Sequence, residues 1–175
     1  NLGYCKGNKI GLKHASGDYI VFLNNDTYVL STWLDELVKV ISIHPSIGAC
    51  QSRHIQAQTG EVQTDGWLLD KYGWSQNLVL NQNKLFVSRT PSYVSGASMM
   101  VRRSALDRIT GFDPDLFFGD FDLCWRLRLL GYDMAVAPNS IVHHYGAAAT
   151  NMLVSSVKTL CYHDCEILRV LLKNY

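Results

Sequence analysis

The 175 residues match one ordinary domain, and 47% apolar against 18% charged residues give ample core material with no signature of disorder. A net charge of +1 lacks the clustered excess of Lys and Arg that a nucleic-acid surface needs, so no nucleic-acid partner is expected. No run reaches the ~18 apolar residues of a membrane span, no secretory leader opens the chain, and five scattered cysteines (Cys5, Cys50, Cys124, Cys161, Cys165) read as thiols of a reducing, cytoplasmic compartment.

Residues 10–14 read as the end of a helix, followed by a Ser16-Gly17-Asp18 turn. Tyr19–Leu23 is a continuous run of β-forming apolar residues, as in a strand buried on both faces. It stops at Asn24-Asn25-Asp26-Thr27. Ser31 or Thr32 is placed to cap the next helix, whose expected core stripe is Leu34, Leu37, Val38 and Ile41, with His44-Pro45 closing it. Residues 47–51 form another short strand. Residues 53–91 show weak periodicity and carry Trp67 and Trp74, so they read as a long functional loop or lid. Residues 93–101 are strand-like and interrupted by Gly96. Residues 104–109 and 122–130 form two helices, ended by Gly111 and Gly131. Residues 134–137 and 141–143 are short strands, and helical spacing returns over about 151–172. This alternation predicts an α/β fold, a three-layer sandwich on a mixed, largely parallel sheet. Residues 1–150 form one expected unit, and 151–175 a C-terminal helix packing on it.

Four constellations can carry chemistry. Asn24, Asn25 and Asp26 directly follow a buried strand, where open α/β sheets bind ligands, and a carboxylate there can hold a hard divalent cation. The same three residues are also ordinary turn formers. Asp120 and Asp122 flank a helix start: either can serve as a general base, and either can cap the helix and favour its dipole. We favour Asp120 as the base, because the next helix reads as beginning at Asp122 while Asp120 lies in a Gly-containing turn. In His143-His144-Tyr145-Gly146 a His can ligate metal or contact phosphate, or it can be a satisfied core residue. Cys161-x-His163-x-Cys165 lacks the second ligand pair of a zinc site, and on a helix its cysteines can pack. Arg102, Arg103, Arg126 and Arg128 read as salt-bridged or solvated faces.

Taken in order, several segments resemble family 2 glycosyltransferases. They are Asn1-Leu-Gly-Tyr-Cys-Lys-Gly-Asn8, Ala15-Ser-Gly-Asp-Tyr-Ile-Val-Phe-Leu-Asn-Asn-Asp26, Trp33-Leu34 and Gly96-Ala-Ser-Met-Met-Val-Arg-Arg103. Gly111-Phe-Asp-Pro114, Asp122-Leu-Cys-Trp-Arg126, Gly131-Tyr132 and His143-His-Tyr-Gly146 continue the series, which ends in Leu171-Leu-Lys-Asn-Tyr175. The resemblance covers nearly the whole chain. It implies a GT-A fold, Rossmann-like and α/β/α, whose opening strands would lie upstream of Asn1.

The implied activity is inverting transfer from a nucleotide-diphosphate sugar to an acceptor hydroxyl on a glycan, polysaccharide or lipid-linked carrier, with Mg²⁺ or Mn²⁺. On this resemblance Asn24-Asn25-Asp26 stands at a DXD-like motif, with Asn24 in place of its first Asp. Asp26 and His144 are metal ligands, and Asn8, Asn24, Asn25 and Asp26 face the donor. Gly96 and Trp125 lie on the acceptor side, and Asp120, or else Asp122, is the base. Gly119 departs from the family's Glu-Asp pair. Peripheral association with the cytoplasmic face of a membrane is a further expectation. The competing classes are a sugar nucleotidyltransferase, which needs a Gly-rich, Arg/Lys-bearing phosphate loop not seen in this sequence, and a non-catalytic carbohydrate-binding remnant.

Overall fold

Tyr19–Leu23 forms the strand that its composition predicts, and the helices on either side of it define two separate cores. The computed structural model describes residues 2–80, 90–146 and 156–174, with side chains in the last segment from 165 onward. In chain order the elements are α1 (Tyr4–Leu12), β1 (Tyr19–Leu23), β2 (Thr27–Val29), α2 (Trp33–Ile43), β3 (Ile47–Gln56), β4 (Val62–Thr64), β5 (Trp67–Leu69) and β6 (Ser75–Asn77). There follow β7 (Ser98–Arg102), α3 (Arg103–Arg108), α4 (Asp120–Leu129), β8 (Asp133–His144) and α5 (Ser156–Asn174).

The main sheet runs β1-β7-β3-β8-β2, with β4 paired to the far end of β3, and β5 and β6 form a separate hairpin. Strand residues alternate between two apolar layers. Ala49, Met99 and Val101 face the larger core with α3 and α4, while Cys50 and Met100 face α2 through Leu37 and Ile41. The three-layer α/β sandwich is therefore present, and the sheet is mixed. It is not largely parallel: β3 and β8 run parallel, whereas β1–β7, β7–β3, β3–β4 and β8–β2 are antiparallel. Helices on both faces bury a strand on both sides whatever the direction of its neighbours, so a continuous apolar run does not report strand direction. Among the described residues β1 has β7 as its sole strand partner and lies at an edge.

Four further expectations change in detail. The two short strands expected at 134–137 and 141–143 are one strand, because the pairing with β3 steps from Ser52↔Ala137 to Arg53↔Ile141 and Pro138, Asn139 and Ser140 bulge out. The long loop expected at 53–91 carries the end of β3 and all of β4, β5 and β6, whose three-residue strands are too short to show a period; residues 81–89 lie outside the described residues. In α2, Leu37 and Ile41 are fully buried while Leu34 and Val38 are 43% and 37% exposed, so one residue per turn faces the sheet. Thr32 stands at the N-cap of α2 but makes no side-chain cap.

The four arginines staple the backbone. Arg102 donates to Ile41 and Ile47 carbonyls, Arg103 to Ala15 and Gly17, and Arg128 to Pro91 and Ser92. Arg126 spans Ile109 O at 2.6 Å, Gly111 O at 2.9 Å and the Asp122 carboxylate.

Candidate functional site

β2 folds the end of β1 back onto β8. Asn24 donates its backbone N–H to Ala97 O at 3.0 Å, and its carbonyl accepts the Thr27 hydroxyl at 2.6 Å, which closes a tight turn over residues 24–27. Thr27 then pairs with His144, and Asp26 O accepts Tyr145 N–H at 3.0 Å. Asp26 Oδ1 is thereby held 3.3 Å from His144 Nε2, with the two side chains 16% and 12% exposed. On the other side of the imidazole, His144 Nδ1 meets Gln63 Oε1 at 2.9 Å.

His144 Nε2 is buried and makes no hydrogen bond, although Asp26 Oδ1 stands 3.3 Å away. A buried polar atom left unsatisfied costs about 1–3 kcal/mol. A carboxylate oxygen and an imidazole nitrogen converging on one point fit a divalent cation such as Mg²⁺ or Mn²⁺. Among the described residues no third His, Cys, Asp or Glu joins them, so the rest of a coordination shell would come from ligand oxygens and water. Behind this corner the His54 ring lies 5.9 Å from that of His144. Burial, helped by the neighbouring His144, pushes the His54 pKa down to about 3, so its imidazole is neutral near pH 7.

The second carboxylate centre is built on Gly119. This residue adopts φ 69, and a Cβ there would lie 2.3 Å from Cys5 Sγ, so both conformation and space require glycine. The chain turns there into α4, which begins at Asp120, two residues before the expected start. Asp120 is thus the first helical residue and not part of the preceding turn. Its Oδ1 accepts Phe121 N–H at 3.0 Å and its Oδ2 accepts Gly96 N–H at 3.2 Å. Asp122 is fully buried; its Oδ2 accepts Arg126 Nε at 2.8 Å and Nη2 at 2.5 Å, one helical turn on. Asn174 and Lys173 of α5 approach its other oxygen at 3.5 and 3.6 Å.

Gly96 and Ala97 join the two centres. Gly96 N–H holds Asp120 and Ala97 O holds Asn24, on consecutive residues at the entry to β7. The Tyr4 hydroxyl donates to Gly96 O at 3.0 Å, and a Cβ on Gly96 would fall 1.9 Å from that hydroxyl oxygen. Trp125 ends a row of aromatic contacts, Trp67–Tyr93–Phe121–Trp125, that ties β5 to α4. Asn25 is exposed on the turn. Asn8 stays on α1, its amide donating to Tyr4 O at 3.1 Å. Of the Cys161-x-His163-x-Cys165 group, Cys165 is exposed, and the side chains of Cys161 and His163 lie outside the described residues. Sequence reasoning missed Gln63, His54 and Tyr4. The first two sit in the segment without readable period, and Tyr4 precedes the recognisable part of its helix.

Comparisons with known proteins address the same elements. The chain is 28% identical over 135 residues to the Pre-mycofactocin glycosyltransferase of Mycobacterium tuberculosis, a match covering 77% of this chain and 28% of that protein. Among solved structures it resembles GalNAc-T7 with UDP, GalNAc and Mn²⁺ (TM-score 0.64, 17% identity, 81% of this chain and 30% of the other). It also resembles the mannosyltransferase PcManGT from Pyrobaculum calidifontis in complex with GDP-Man and Mn²⁺ (TM-score 0.58, 19% identity, 82% and 36%). The chain thus spans about a third or less of each of these proteins. Both structural likenesses place the fold among GT-A glycosyltransferases. The family model Glycosyl transferase family 2 matches residues 1–110, a span that holds Asp26, Gln63 and the Gly96–Ala97 strap, and the chain belongs to that family.

Proposed function

We propose that this chain is the metal-binding and acceptor-side part of an inverting glycosyltransferase. The protein would move a sugar from a nucleotide-diphosphate donor to a hydroxyl of a glycan or lipid-linked acceptor. The observation that carries this reading is the convergence of Asp26 Oδ1 and the unpartnered His144 Nε2, 3.3 Å apart, at the carboxyl end of a buried strand. Asp26 and His144 would hold Mg²⁺ or Mn²⁺, with Asn24 and Asn25 on the donor side of the same turn. Bound there, the cation supplies positive charge against the diphosphate of the leaving group.

Asp120 acts as general base. It takes the proton of the acceptor hydroxyl as that oxygen bonds to the anomeric carbon and the sugar–phosphate bond breaks on the opposite face. Its hydrogen bonds to Gly96 and Phe121 orient the carboxylate. Residues 1–150 would be the glycosyltransferase unit, with α5 (Ser156–Asn174) packing on it. We place the protein in the cytoplasm, at the membrane face where lipid-linked acceptors are glycosylated. Among the described residues no helix is long and apolar enough to cross a membrane.

The test is nucleoside diphosphate release by the full-length protein from a panel of UDP- and GDP-sugars, with Mn²⁺ and with chelator. Metal-dependent release with one donor is expected, with inverted anomeric configuration in the product by NMR. Asp26→Ala should abolish release while the melting temperature stays nearly unchanged, since a turn carboxylate adds little to the core. A retained configuration, or full release by Asp26→Ala, would overturn the reading.

A further inference from the structure

The Gln63–His144–Asp26 row holds more than a pair of ligands. Gln63 lies at the centre of β4, which is fastened on three sides. β4 pairs with β3 at His54↔Thr64 and Ile55↔Val62. Asn77 Nδ2 donates to Gln63 O at 2.7 Å. Two residues on, the fully buried Asp65 takes a two-pronged bond from Arg53, Nε to Oδ1 at 2.8 Å and Nη2 to Oδ2 at 3.1 Å. A strand so fixed sets the height of the Gln63 amide against β8, and a Cβ on Gly146, at φ 70, would stand 3.6 Å from the Gln63 amide nitrogen.

An imidazole nitrogen that meets an amide oxygen must be the protonated one, because a carbonyl oxygen only accepts. With Gln63 Oε1 at 2.9 Å from Nδ1, a neutral His144 ring that donates from Nδ1 leaves Nε2 as a bare lone pair. That lone pair faces Asp26 Oδ1 at 3.3 Å, where two electron-rich atoms repel unless a cation lies between them. We propose that Gln63 is a positioning residue: it fixes the His144 tautomer and so turns the row into a cation-binding, not a hydrogen-bonding, arrangement. This rests on the metal role of Asp26 and His144 proposed above. An amide turned over would reverse everything. Its NH₂ would donate to Nδ1, the proton would sit on Nε2, and His144 would bond to Asp26 and have no lone pair to offer.

The tautomer is read directly by ¹⁵N NMR of histidine-labelled, metal-free full-length protein, the His144 resonances being those lost in His144→Gln. Wild type should show a protonated Nδ1 and a bare Nε2. Gln63→Met, which keeps length but cannot accept, should move the proton to Nε2 and weaken Mn²⁺ binding about tenfold or more, the usual effect of losing a partner of a ligating histidine. Gln63→Glu should keep the Nδ1 proton and bind Mn²⁺ at least as tightly as wild type. A wild-type Nε2–H or doubly protonated ring overturns the proposal, as does unchanged Mn²⁺ affinity in Gln63→Met. Should wild type fail to bind Mn²⁺, the metal reading falls while the tautomer measurement still decides the role of Gln63. Should Gln63→Met fail to fold, wild type and Gln63→Glu carry the test.

Discussion

Asp120 and Asn24 are tied to consecutive residues of one strap: Gly96 N–H donates to the Asp120 carboxylate at 3.2 Å, and Ala97 O accepts Asn24 N–H at 3.0 Å. The strap enters β7, the neighbour of β1, so the sheet itself sets the distance between the turn over residues 24–27 and the start of α4. The base and metal site proposed above, acting on two ends of one reacting group, would need such a rigid connection.

The strap bonds Asp120, whereas Asp122 bonds Arg126. Asp120→Asn should reduce turnover by orders of magnitude with little change in donor affinity, because a base acts on the acceptor in the transition state. Asp122→Asn should mainly destabilise. It breaks a buried pair with Arg126, which costs about 3 kcal/mol, more than the ~1 kcal/mol of a lost cap. Kinetics and denaturant melts of both variants decide the matter. Loss of turnover in Asp122→Asn with retention in Asp120→Asn would move the base.

Gly119→Ala should destabilise by about 3 kcal/mol. Part is the left-handed backbone at φ 69, which costs an L-residue about 1–2 kcal/mol, and part is the overlap of a new Cβ with Cys5 Sγ. Cys5→Ala on the same background removes the overlap and should recover the second part alone. Additive effects in this double-mutant cycle would show that the two residues do not press on each other.

The halves of the site differed in how far the sequence could disclose them. The turn that carries Asp26 was legible because an apolar strand ending in short polar residues is a local pattern; Tyr19–Leu23 forms the strand, with Ile20 and Phe22 buried and Leu23 exposed. The start of α4 was not. Asp120 follows Gly119, and which residue begins the helix depends on a left-handed turn packed against Cys5, more than a hundred positions earlier. Gln63 was invisible for a similar reason: its strand has three residues, and its register is set by Arg53–Asp65 and by Asn77. Strand direction was also beyond reach, since the burial of β3 and β7 on both faces comes from helices on both sides.

Burial pushes the thiols of Cys5, Cys50 and Cys124 up to about 12, with Asp120 adding to the rise at Cys5 and Cys124. Each raised thiol binds its proton more tightly folded than unfolded. Their stabilisation is therefore complete below about pH 9 and is lost as pH climbs from there toward 12. Iodoacetamide at pH 8 should alkylate the exposed Cys165 and spare these three in native protein, as mass spectrometry would report. Rapid native labelling of Cys50 or Cys124 would contradict their burial.

α5 presents two faces, and the outer one is where membrane contact is expected. Ile167 and Val170 are buried against α4, whereas Leu168 and Leu172 are 62% and 82% exposed. The cations next to them are engaged locally: Arg169 donates to Asp115 O at 3.4 Å, and Lys173 pairs with Asp113. Contact with a bilayer would therefore be carried by the two leucines, each contributing about 1.5–3 kcal/mol if fully buried, and only weakly by charge. Binding to vesicles containing anionic lipid should be reversible, change little between low and physiological salt, and fall about tenfold or more in Leu168→Ser/Leu172→Ser. The buried face is untouched by these substitutions, so the melting temperature should hold. Co-sedimentation of the full-length protein measures this. Equal binding by wild type and the double variant would dispose of α5 as a membrane contact and leave it as the helix that closes the core. A steep loss with salt would assign the contact to cations elsewhere in the protein.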